Sequence, residues 1–439
     1  MSTNDRKSTQ RERLLEGMLH ASLQSGYAGA SVSRTIAQAG VSRPTFYDYF
    51  SDKDDCFLAL QRECSARLVE FMAARVNEAE PQLAVQAGAR ALIEFAESEP
   101  GQARFLLDEA PAGGPQALDE RERSLDQIAM LVERARTGAD DHTLTPDIPA
   151  EALFGGLFWM LGPLLRRGER TIGAAAEPLQ TWIDSYGRPS GEHRRRALDP
   201  LPELPSSPHI SDIPREAPAP LPPGRPRISA AEVARNQRDR ILYATALVAT
   251  EKGYTAATVA DIANAAKLDR RIFYNHFPDK RQAFLTLHEF SLRHAMTIAA
   301  EAFFSAPTWP ERVWAGLHAS CQFAAGYPAL TRLAFVESHA VGSPAIQQVE
   351  DSHAAFTIFL HEGYQYSSQH PSPTALQAIV ATIFEIGHRQ ARHGESRLMP
   401  RLLHHIAYIA LAPFLKPADA NKLIDEKLRS LGVEGPRAA

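Results

Sequence analysis

Side chains that could bind a nucleic acid occur twice in the chain, at the same spacing. Each set combines arginine with aromatic side chains and ends in a lysine that follows an aspartate. Arginine can bond guanine through two hydrogen bonds, while tyrosine, histidine and lysine can bond phosphate oxygens. The first set is Ser42, Arg43, Pro44, Thr45, Tyr47, Tyr49 and Lys53, and the second is Asp269, Arg270, Arg271, Ile272, Tyr274, His276 and Lys280.

The two sets belong to an internal repeat. Residues 11–57 lie over residues 238–284 without a gap, and 15 of the 47 positions are identical. Residues 104–118 resemble residues 332–346 after one inserted residue, so the repeated unit is longer than the first module. Self-similarity of this extent indicates a duplication of a whole unit.

The repeated segment has helical spacing of apolar residues and the signals of three helices. Gly26 and Gly253 suit the end of a first helix. Ser31 and Thr258 suit the N-cap of a short second helix. A third short helix is predicted over 42–48 and 269–275, with Phe46 and Phe273 facing inward. A long helix packed on two short ones that are joined by a tight turn is a helix-turn-helix.

The two segments, SVSRTIAQAGVSRPTFYDYFSDKDDCF and TVADIANAAKLDRRIFYNHFPDKRQAF, resemble the DNA-binding signature of the TetR (tetracycline-repressor) family. The resemblance implies that the third helix enters the major groove and that its first residues contact bases. Lys267 stands where the family has the turn glycine, which could distort the turn or weaken that copy's DNA contact. We predict DNA-binding roles for both sets above, except Asp269, and also for Arg34, Thr258, Arg225 and Arg227.

Two further observations bear on DNA contact. Lys53 and Lys280 each follow an aspartate at a helix start, where a lysine opposes the helix dipole unless a phosphate binds there. Residues 225–284 hold eleven Lys/Arg against six Asp/Glu, whereas residues 1–57 hold seven of each. Copy 1 could therefore be a scaffold without DNA contact, and Arg225 and Arg227 could be either a minor-groove arm or the end of a solvated linker.

The predicted fold is all-α with two tandem units, each a helix-turn-helix module followed by a helical ligand-binding and dimerisation domain. We place the modules at 1–57 and 228–284 and the helical domains at 58–187 and 285–433. Between the units, residues 188–227 form a linker and basic arm. Residues 189–226 include 11 prolines, and we expect this stretch to bury too little to fold and to dictate no arrangement of the units.

By resemblance, each helical domain holds a small ligand and pairs through its last two long helices. The predicted pairing helices are 150–166 with 174–186 and 374–393 with 398–415. Candidate ligand contacts are aromatic, although such residues are more often core. They are Phe71, Phe95, Phe105, Phe158 and Trp159 in copy 1, and Phe303, Trp314, Phe323, Phe335, Phe356 and Phe359 in copy 2.

Composition excludes several other classes. The three cysteines form no disulfide framework, and the longest apolar run, Leu153–Leu165, is too short to span a membrane. The sequence has no nucleophile elbow, phosphate loop or HExxH motif, so we expect no enzyme, cofactor or metal site. His388 and His393 are too poorly spaced to suggest a metal, and Glu109 and Glu337 are expected to be structural. These features favour a cytoplasmic, nucleoid-associated protein.

The sequence thus predicts a transcriptional regulator, most simply a repressor, that works as a single-chain pseudo-dimer on a double-stranded operator. A small apolar effector would release the DNA. Two alternatives stay open at this point. In the first, only copy 2 binds DNA and the chain forms an ordinary homodimer. In the second, the chain is a helical ligand-binding protein that has lost DNA binding.

Overall fold

The computed structural model describes residues 3–137, 146–168, 172–187, 198–206, 218–221, 228–367 and 370–433. Within these ranges the chain is helical, with one isolated antiparallel bridge between Pro146 and Gly187 and no strand. The prediction of an all-α fold with two tandem units is confirmed.

The first copy contributes nine α-helices in the described part of the chain. Three 3₁₀ turns and one π-helical turn, Phe105–Glu109, connect them. The helices are α1 Thr3–Gly29, α2 Val32–Ala39, α3 Arg43–Tyr47, α4 Lys53–Glu78, α5 Ala84–Ser98, α6 Pro100–Arg104, α7 Pro115–Arg136, α8 Ala150–Arg166 and α9 Ala176–Asp184.

The second copy repeats this order with three additional helices in the described residues, namely Ser338–Val341, Ile358–His361 and, at its end, Pro417–Ser430. A π-helical turn, Leu333–Glu337, stands at the position equivalent to the first. The helices are α10 Ala230–Ala256, α11 Val259–Ala265, α12 Arg270–His276, α13 Lys280–Ser305, α14 Trp309–Gly326, α15 Pro328–Arg332, α16 Ser338–Val341, α17 Ser343–Phe356, α18 Ile358–His361, α19 Pro373–Arg392, α20 Leu403–Leu415 and α21 Pro417–Ser430.

The predicted caps define both helix-turn-helix modules. The Ser31 hydroxyl accepts a hydrogen bond from the Arg34 backbone, and Thr258 forms a capping box with Asp261. The long first helix breaks at Gly26 and Gly253, whose φ angles are 67° and 75°. Because these angles are left-handed, glycine is the natural residue at the break. The chain then resumes a short helical turn before α2 and α11.

The turn of each helix-turn-helix is held in a left-handed conformation. Gly40 has φ 61° and Lys267 has φ 53°, so the lysine keeps the turn of the glycine that it replaces. An arginine of the first helix braces the turn in both copies. Arg13 donates to the Gly40 carbonyl, and Arg240 donates to the carbonyls of Ala266 and Lys267. The expected distortion of the copy 2 turn is therefore not seen.

Aromatic rings fill the core of each module. Phe46 and Phe50 in copy 1, and Phe273 and Phe277 in copy 2, are at most 4% exposed. Val41 and Leu268 pack partly buried against the same cores. The inward orientation predicted for Phe46 and Phe273 is confirmed.

In each copy, an ion pair at the π-helical turn joins the module to the helical domain behind it. Glu337 accepts a hydrogen bond of 2.8 Å from the Tyr254 backbone, directly after the break in α10, and lies 3.4 Å from Arg332. In copy 1, Arg104 bonds both Glu109 and the Leu23 carbonyl. Both carboxylates close a π-helical turn, a feature that often marks functional sites.

The two copies contact each other mainly through α8 and α19, which are among the predicted pairing helices. The helices approach closely because α8 presents glycines at the crossing. A Cβ added to Gly156 would lie 2.4 Å from the Thr382 hydroxyl and 2.7 Å from the Thr382 backbone. One added to Gly155 would lie 2.3 Å from the Glu385 side chain. Any larger residue at either position would force the two helices apart.

A buried charge network crosses this contact. Glu385 on α19 is fully buried and accepts two hydrogen bonds from Arg121 on α7, of 3.2 and 2.8 Å. The indole of Trp159 on α8 donates to the same carboxylate at 2.6 Å. Because a buried carboxylate is costly unless it is paired and hydrogen-bonded, the network ties the copies in one arrangement.

Two ion pairs flank the network, one on each side. Each pair joins an arginine of one copy to a glutamate of the other. Arg392 on α19 pairs with Glu122 on α7, and Arg166 on α8 pairs with Glu350 on α17. Glu122 and Glu350 are equivalent in the repeat, as are Arg166 and Arg392. The two copies therefore meet through the same surface, related by an approximate twofold rotation.

Part of the proline-rich linker is ordered by packing, contrary to the sequence expectation. Leu201 and Leu204 are 4% and 5% exposed. The Leu201 amide donates to the Arg401 carbonyl, and His318 on α14 donates to the Pro205 carbonyl at 3.0 Å. The expectation was wrong because it rested on the proline content of the whole linker. Leu201 and Leu204 nevertheless bury their side chains locally.

One apolar stretch, Ser396–Leu415, has the length and composition that a membrane span requires. Its most apolar window is 83% buried inside the structure. The run Leu153–Leu165 lies in α8 and is also mostly buried. Both are thus placed as core helices in this structure.

We expect Lys267→Gly to raise the free energy of unfolding by about 1 kcal/mol, because a non-glycine residue in the left-handed region carries roughly that cost. Denaturant unfolding would measure the change. Gly40→Lys, the reverse exchange in copy 1, should lower stability by a similar amount. Equal stability of both variants and the parent chain would contradict the prediction.

Acid should weaken the contact between the copies. Burial lowers the pKa of His339 to about 3 and of His388 to about 4. His339 faces Trp159, Arg121 and Arg166, and His388 faces Glu385, Arg121 and Arg392. The unfolded chain takes up protons below about pH 6.5, the ordinary histidine value, so stability falls from there towards pH 4.

Denaturant unfolding between pH 7.5 and 5 would measure this slope. We expect His388→Gln to flatten the slope, because one buried site no longer gains a proton on unfolding. His20→Gln, at an exposed position, should leave it unchanged. An unaltered slope in His388→Gln would count against the prediction.

Candidate nucleic-acid interface and ligand cavity

The third helix of each module presents its predicted base-contacting residues outward. In copy 1, Ser42, Arg43 and Pro44 are exposed and Thr45 is half-buried. The Ser42 hydroxyl caps the helix by accepting from the Thr45 backbone. Tyr47 is 49% exposed, and Arg43 lies 5.9 Å from its ring. The residues that face solvent are thus those that the sequence assigned to bases and phosphate.

Copy 2 places the equivalent side chains in the same way. Arg270 and Arg271 are exposed, Ile272 is half-buried, and Tyr274 is 57% exposed. Asp269 accepts from the Arg271 backbone and caps the helix. The acidic cap therefore satisfies the helix end, and the two arginines that follow it are displayed to solvent. DNA contact by these residues stays a prediction.

Lys53 and Lys280 fold back onto the end of the first helix. The Lys280 ammonium donates to the carbonyls of Tyr254, Thr255 and Ala257 at 2.8–3.1 Å. Lys53 donates to the Tyr27 carbonyl at 3.2 Å and lies 3.7 Å from that tyrosine ring. These carbonyls carry partial negative charge and stabilise each ammonium group. A lysine at this helix start therefore does not require a bound phosphate. Burial also lowers the pKa of Lys280.

Several other predicted contacts also have intramolecular partners. Tyr49 donates to Gln10, and His276 bonds Gln237, which is the equivalent residue of copy 2. Arg34 is exposed and donates to the Gly29 carbonyl. Thr258 is exposed and serves as the N-cap. Arg225 and Arg227 lie outside the described residues.

Sequence reasoning missed the bracing role of Arg13 and Arg240. Both are identical in the repeat, and both bond the turn carbonyls. Gln10 and Gln237 are likewise identical and hold the end of the third helix. Identity at polar positions of the first helix was the available signal, because an ordinary solvated face would tolerate divergence between the copies.

A cavity of about 140 Å³ lies among the helices of copy 2. Its walls come from α13, α14, the π-helical turn, α17–α20 and the turn before α20. Five of the six aromatic residues predicted for copy 2 line it, and Trp314 does not, being buried beside it. The five are Phe303, Phe323, Phe335, Phe356 and Phe359.

The aromatic residues predicted for copy 1 do not converge on one cavity. Phe95 and Phe105 are fully buried, Phe71 packs on Phe95, and Phe105 packs on Phe57 in the core. Trp159 lies in the contact between the copies. Phe158 is 3% exposed beside Arg121. In copy 1 these aromatic residues are therefore buried in packed regions and do not line a common cavity.

The model of the tetR family of bacterial regulatory proteins matches the chain at residues 21–60 and again at 241–287. These two matches fall on the helix-turn-helix modules described above. Both helix-turn-helix modules are therefore similar to that family's model, which matches 87 of the 439 residues. The family is one of regulatory proteins, and the duplicated module is the reason that one chain matches it twice.

Curated relatives are similar over short stretches of the chain. The chain is 41% identical over 71 residues to the HTH-type transcriptional repressor AcnR of Corynebacterium diphtheriae, covering 16% of this chain and 37% of that protein. It is 30% identical over 97 residues to the nucleoid occlusion factor SlmA of Glaesserella parasuis, covering 22% and 47%. The chain thus spans under half the length of each of these relatives.

Solved structures of regulators are also similar. The transcriptional regulator FadR from Bacillus subtilis, crystallised with stearoyl-CoA, is 17% identical with a TM-score of 0.35. The match covers 42% of this chain and 99% of that protein.

If the third helix of copy 2 contacts DNA, Arg270→Ala and Arg271→Ala should each lower affinity. A lost bidentate base contact costs about 1–3 kcal/mol and relaxes sequence preference, whereas a lost phosphate contact mainly reduces the salt dependence. Fluorescence anisotropy on a fragment selected from random DNA, at several salt concentrations, would separate the two effects. Arg429→Ala, exposed on α21, is the control. Unchanged affinity in both variants would refute a role for these arginines.

Proposed function

We propose that this protein is a transcriptional regulator, most simply a repressor, in which the two copies act together as a single-chain pseudo-dimer. Each copy would place its third helix in the major groove of one half of an operator. Because α3 and α12 differ at their first residues, the operator would have two unlike half-sites about one helical turn apart or slightly more. A small apolar effector would release the DNA.

The approximate twofold contact between the copies is the observation that carries this proposal. Family members usually pair identical chains, and here the reciprocal ion pairs Arg166–Glu350 and Arg392–Glu122 lie within one chain. The tether keeps the partner at high local concentration, on the order of millimolar for a flexible linker. The ordered part of the linker also packs on copy 2 and supports a fixed arrangement.

The alternative of a homodimer through copy 2 meets an electrostatic obstacle. Residues 159 and 385 are equivalent in the repeat, so the twofold contact pairs them with each other. In a copy 2–copy 2 contact, Glu385 would face a second Glu385 without Trp159. Two buried like charges disfavour that assembly. Size analysis of the DNA complex tests this directly, because a homodimer would have twice the mass of one chain.

The release of DNA would run through the π-helical turn of copy 2. Ala334 and Phe335 of this turn line the cavity, and Glu337 at its end holds the Tyr254 backbone of the DNA-binding module. The Phe335 carbonyl accepts a hydrogen bond from His388 on α19 at 2.8 Å. A ligand that shifts the turn would therefore act both on the copy 2 module and on the contact between the copies.

DNase footprinting on DNA selected from random sequence tests the asymmetric operator. We expect two protected half-sites of unlike sequence bound by one chain. A perfectly palindromic site, protected symmetrically, would overturn the asymmetric operator. Complete absence of DNA binding would instead favour the second alternative, a helical ligand-binding protein.

The close crossing of α8 and α19 gives a sharper test. We expect Gly156→Ala to lower stability by about 1–3 kcal/mol, because the added methyl group overlaps the Thr382 backbone. It should also weaken binding to the two-half-site operator more than to either half-site alone. Gly101→Ala is the matched control, since its methyl group meets only Leu23 at 3.6 Å. Equal effects of the two substitutions would count against the role given to this contact.

A further inference from the structure

The internal repeat allows the ligand cavity of copy 2 to be compared with the same region of copy 1, residue by residue. Glu99 and Tyr327, 228 positions apart, share an unusual backbone, with φ and ψ of −128° and 54° against −127° and 62°. The π-helical turns that follow keep this offset. For α8 and α19 the offset is 226, fixed by Gly168 and Gly394 with φ of 65° and 73°.

Under these offsets, copy 1 carries larger side chains at several positions that line the cavity of copy 2. Leu92, Leu106 and Phe154 of copy 1 correspond to Ser320, Ala334 and Val380. All three copy 1 residues are at most 5% exposed. The Phe154 ring lies 2.9 Å from a Cβ added to Gly88, and the equivalent of Gly88 is Gly316, which lines the cavity. Phe154 thus occupies in copy 1 the space that is open in copy 2.

Exchanges in the opposite direction also occur, such as Val76 to Phe303 and Ala89 to Leu317. They reshape the cavity of copy 2 without closing it. In copy 1 a recess of about 310 Å³ does lie between α5 and α9. It is a surface feature bordered by the exposed residues Arg90, Glu177 and Thr181, so it differs in chemistry from the cavity of copy 2.

The wall of the copy 2 cavity defines what it can hold. None of its residues carries a charge, and two of its hydroxyl protons are already engaged. Ser320 donates to the Gly316 carbonyl, and Thr331 donates to the carbonyls of Ala324 and Tyr327. Burial raises the pKa of the Cys321 thiol to about 12, which keeps it neutral. A charged ligand would lose its hydration without gaining a partner.

We infer that the chain has one effector site for its two DNA-binding modules, in copy 2 alone, and that this site takes a neutral apolar molecule. Ser320, Ala334 and Val380 open the site, and the bulk of Leu92, Leu106 and Phe154 closes its counterpart. An apolar cavity of about 150 Å³ in other proteins takes up benzene or xenon, so a small aromatic ring matches this volume. The regulatory part of the inference rests on the proposed function, whereas the binding part does not.

Fluorobenzene and fluorobenzoate, observed by ¹⁹F NMR with the full chain and no DNA, test the site and its ligand class. We expect one fluorobenzene bound per chain and at least tenfold weaker binding of fluorobenzoate. Ser320→Leu, Ala334→Leu and Val380→Phe, which restore copy 1 residues, should each weaken fluorobenzene binding at least tenfold. Thr297→Glu, which restores a copy 1 residue at an exposed position of α13, should leave it unchanged.

Three results would overturn the inference. They are two fluorobenzene molecules per chain, equal binding of fluorobenzoate, or undiminished binding in all three filled variants. Thermal unfolding identifies any filled variant that has not folded, and the remaining variants then decide. If the chain binds DNA, saturating fluorobenzene should weaken both half-sites in the parent chain and neither in a filled variant. A chain that binds fluorobenzene but no DNA would refute the proposed function and leave the single site intact.

Discussion

Glu385 must share its buried position with Arg121 and Trp159, and the arrangement of the whole chain depends on that requirement. A carboxylate removed from water needs charge and hydrogen bonds in return, and here both come from the other copy. The crossing of α8 on α19 is thereby fixed. Each helix-turn-helix module is joined to its own helical domain, by Arg104 bonded to the Leu23 carbonyl in copy 1 and by Glu337 bonded to the Tyr254 backbone in copy 2. The same requirement therefore also fixes how the two modules are presented.

Opposite faces of the helix α19 contact α8 and the cavity, because an α-helix has 3.6 residues per turn. Thr382 and Glu385 face α8, while Val380, Ile383 and Phe384 face the cavity. The helix α19 therefore lies between the cavity and the contact between the copies. Interiors are close-packed, so a displacement on one side of such a helix is transmitted rather than absorbed. The position of the cavity therefore follows the position of the pairing helix.

Much of the fold could be predicted from the sequence, since the caps, the broken first helix and the aromatic core each have local signals. Two of the four predicted pairing helices, α8 and α19, form the main contact between the copies, and the burial that an apolar run such as Leu153–Leu165 requires was the available signal. The partner of Glu385 could not be predicted, since Arg121 is 264 positions away and neither residue lies in a motif. The packing of Leu201 and the intramolecular role of Lys280 were missed for a similar reason. Both depend on atoms that only the folded chain brings near.

Fusion of the copies removes a constraint that applies to any symmetric dimer. In a twofold homodimer, the residue at the crossing meets its own copy, so a buried acid there would face another acid. In one chain the equivalent positions can diverge into Trp159 and Glu385, and into Gly156 and Thr382. The same freedom allows Phe154 to fill the core of one copy while Val380 leaves space in the other. Asymmetry of the contact and asymmetry of the cavity are thus two results of the same duplication.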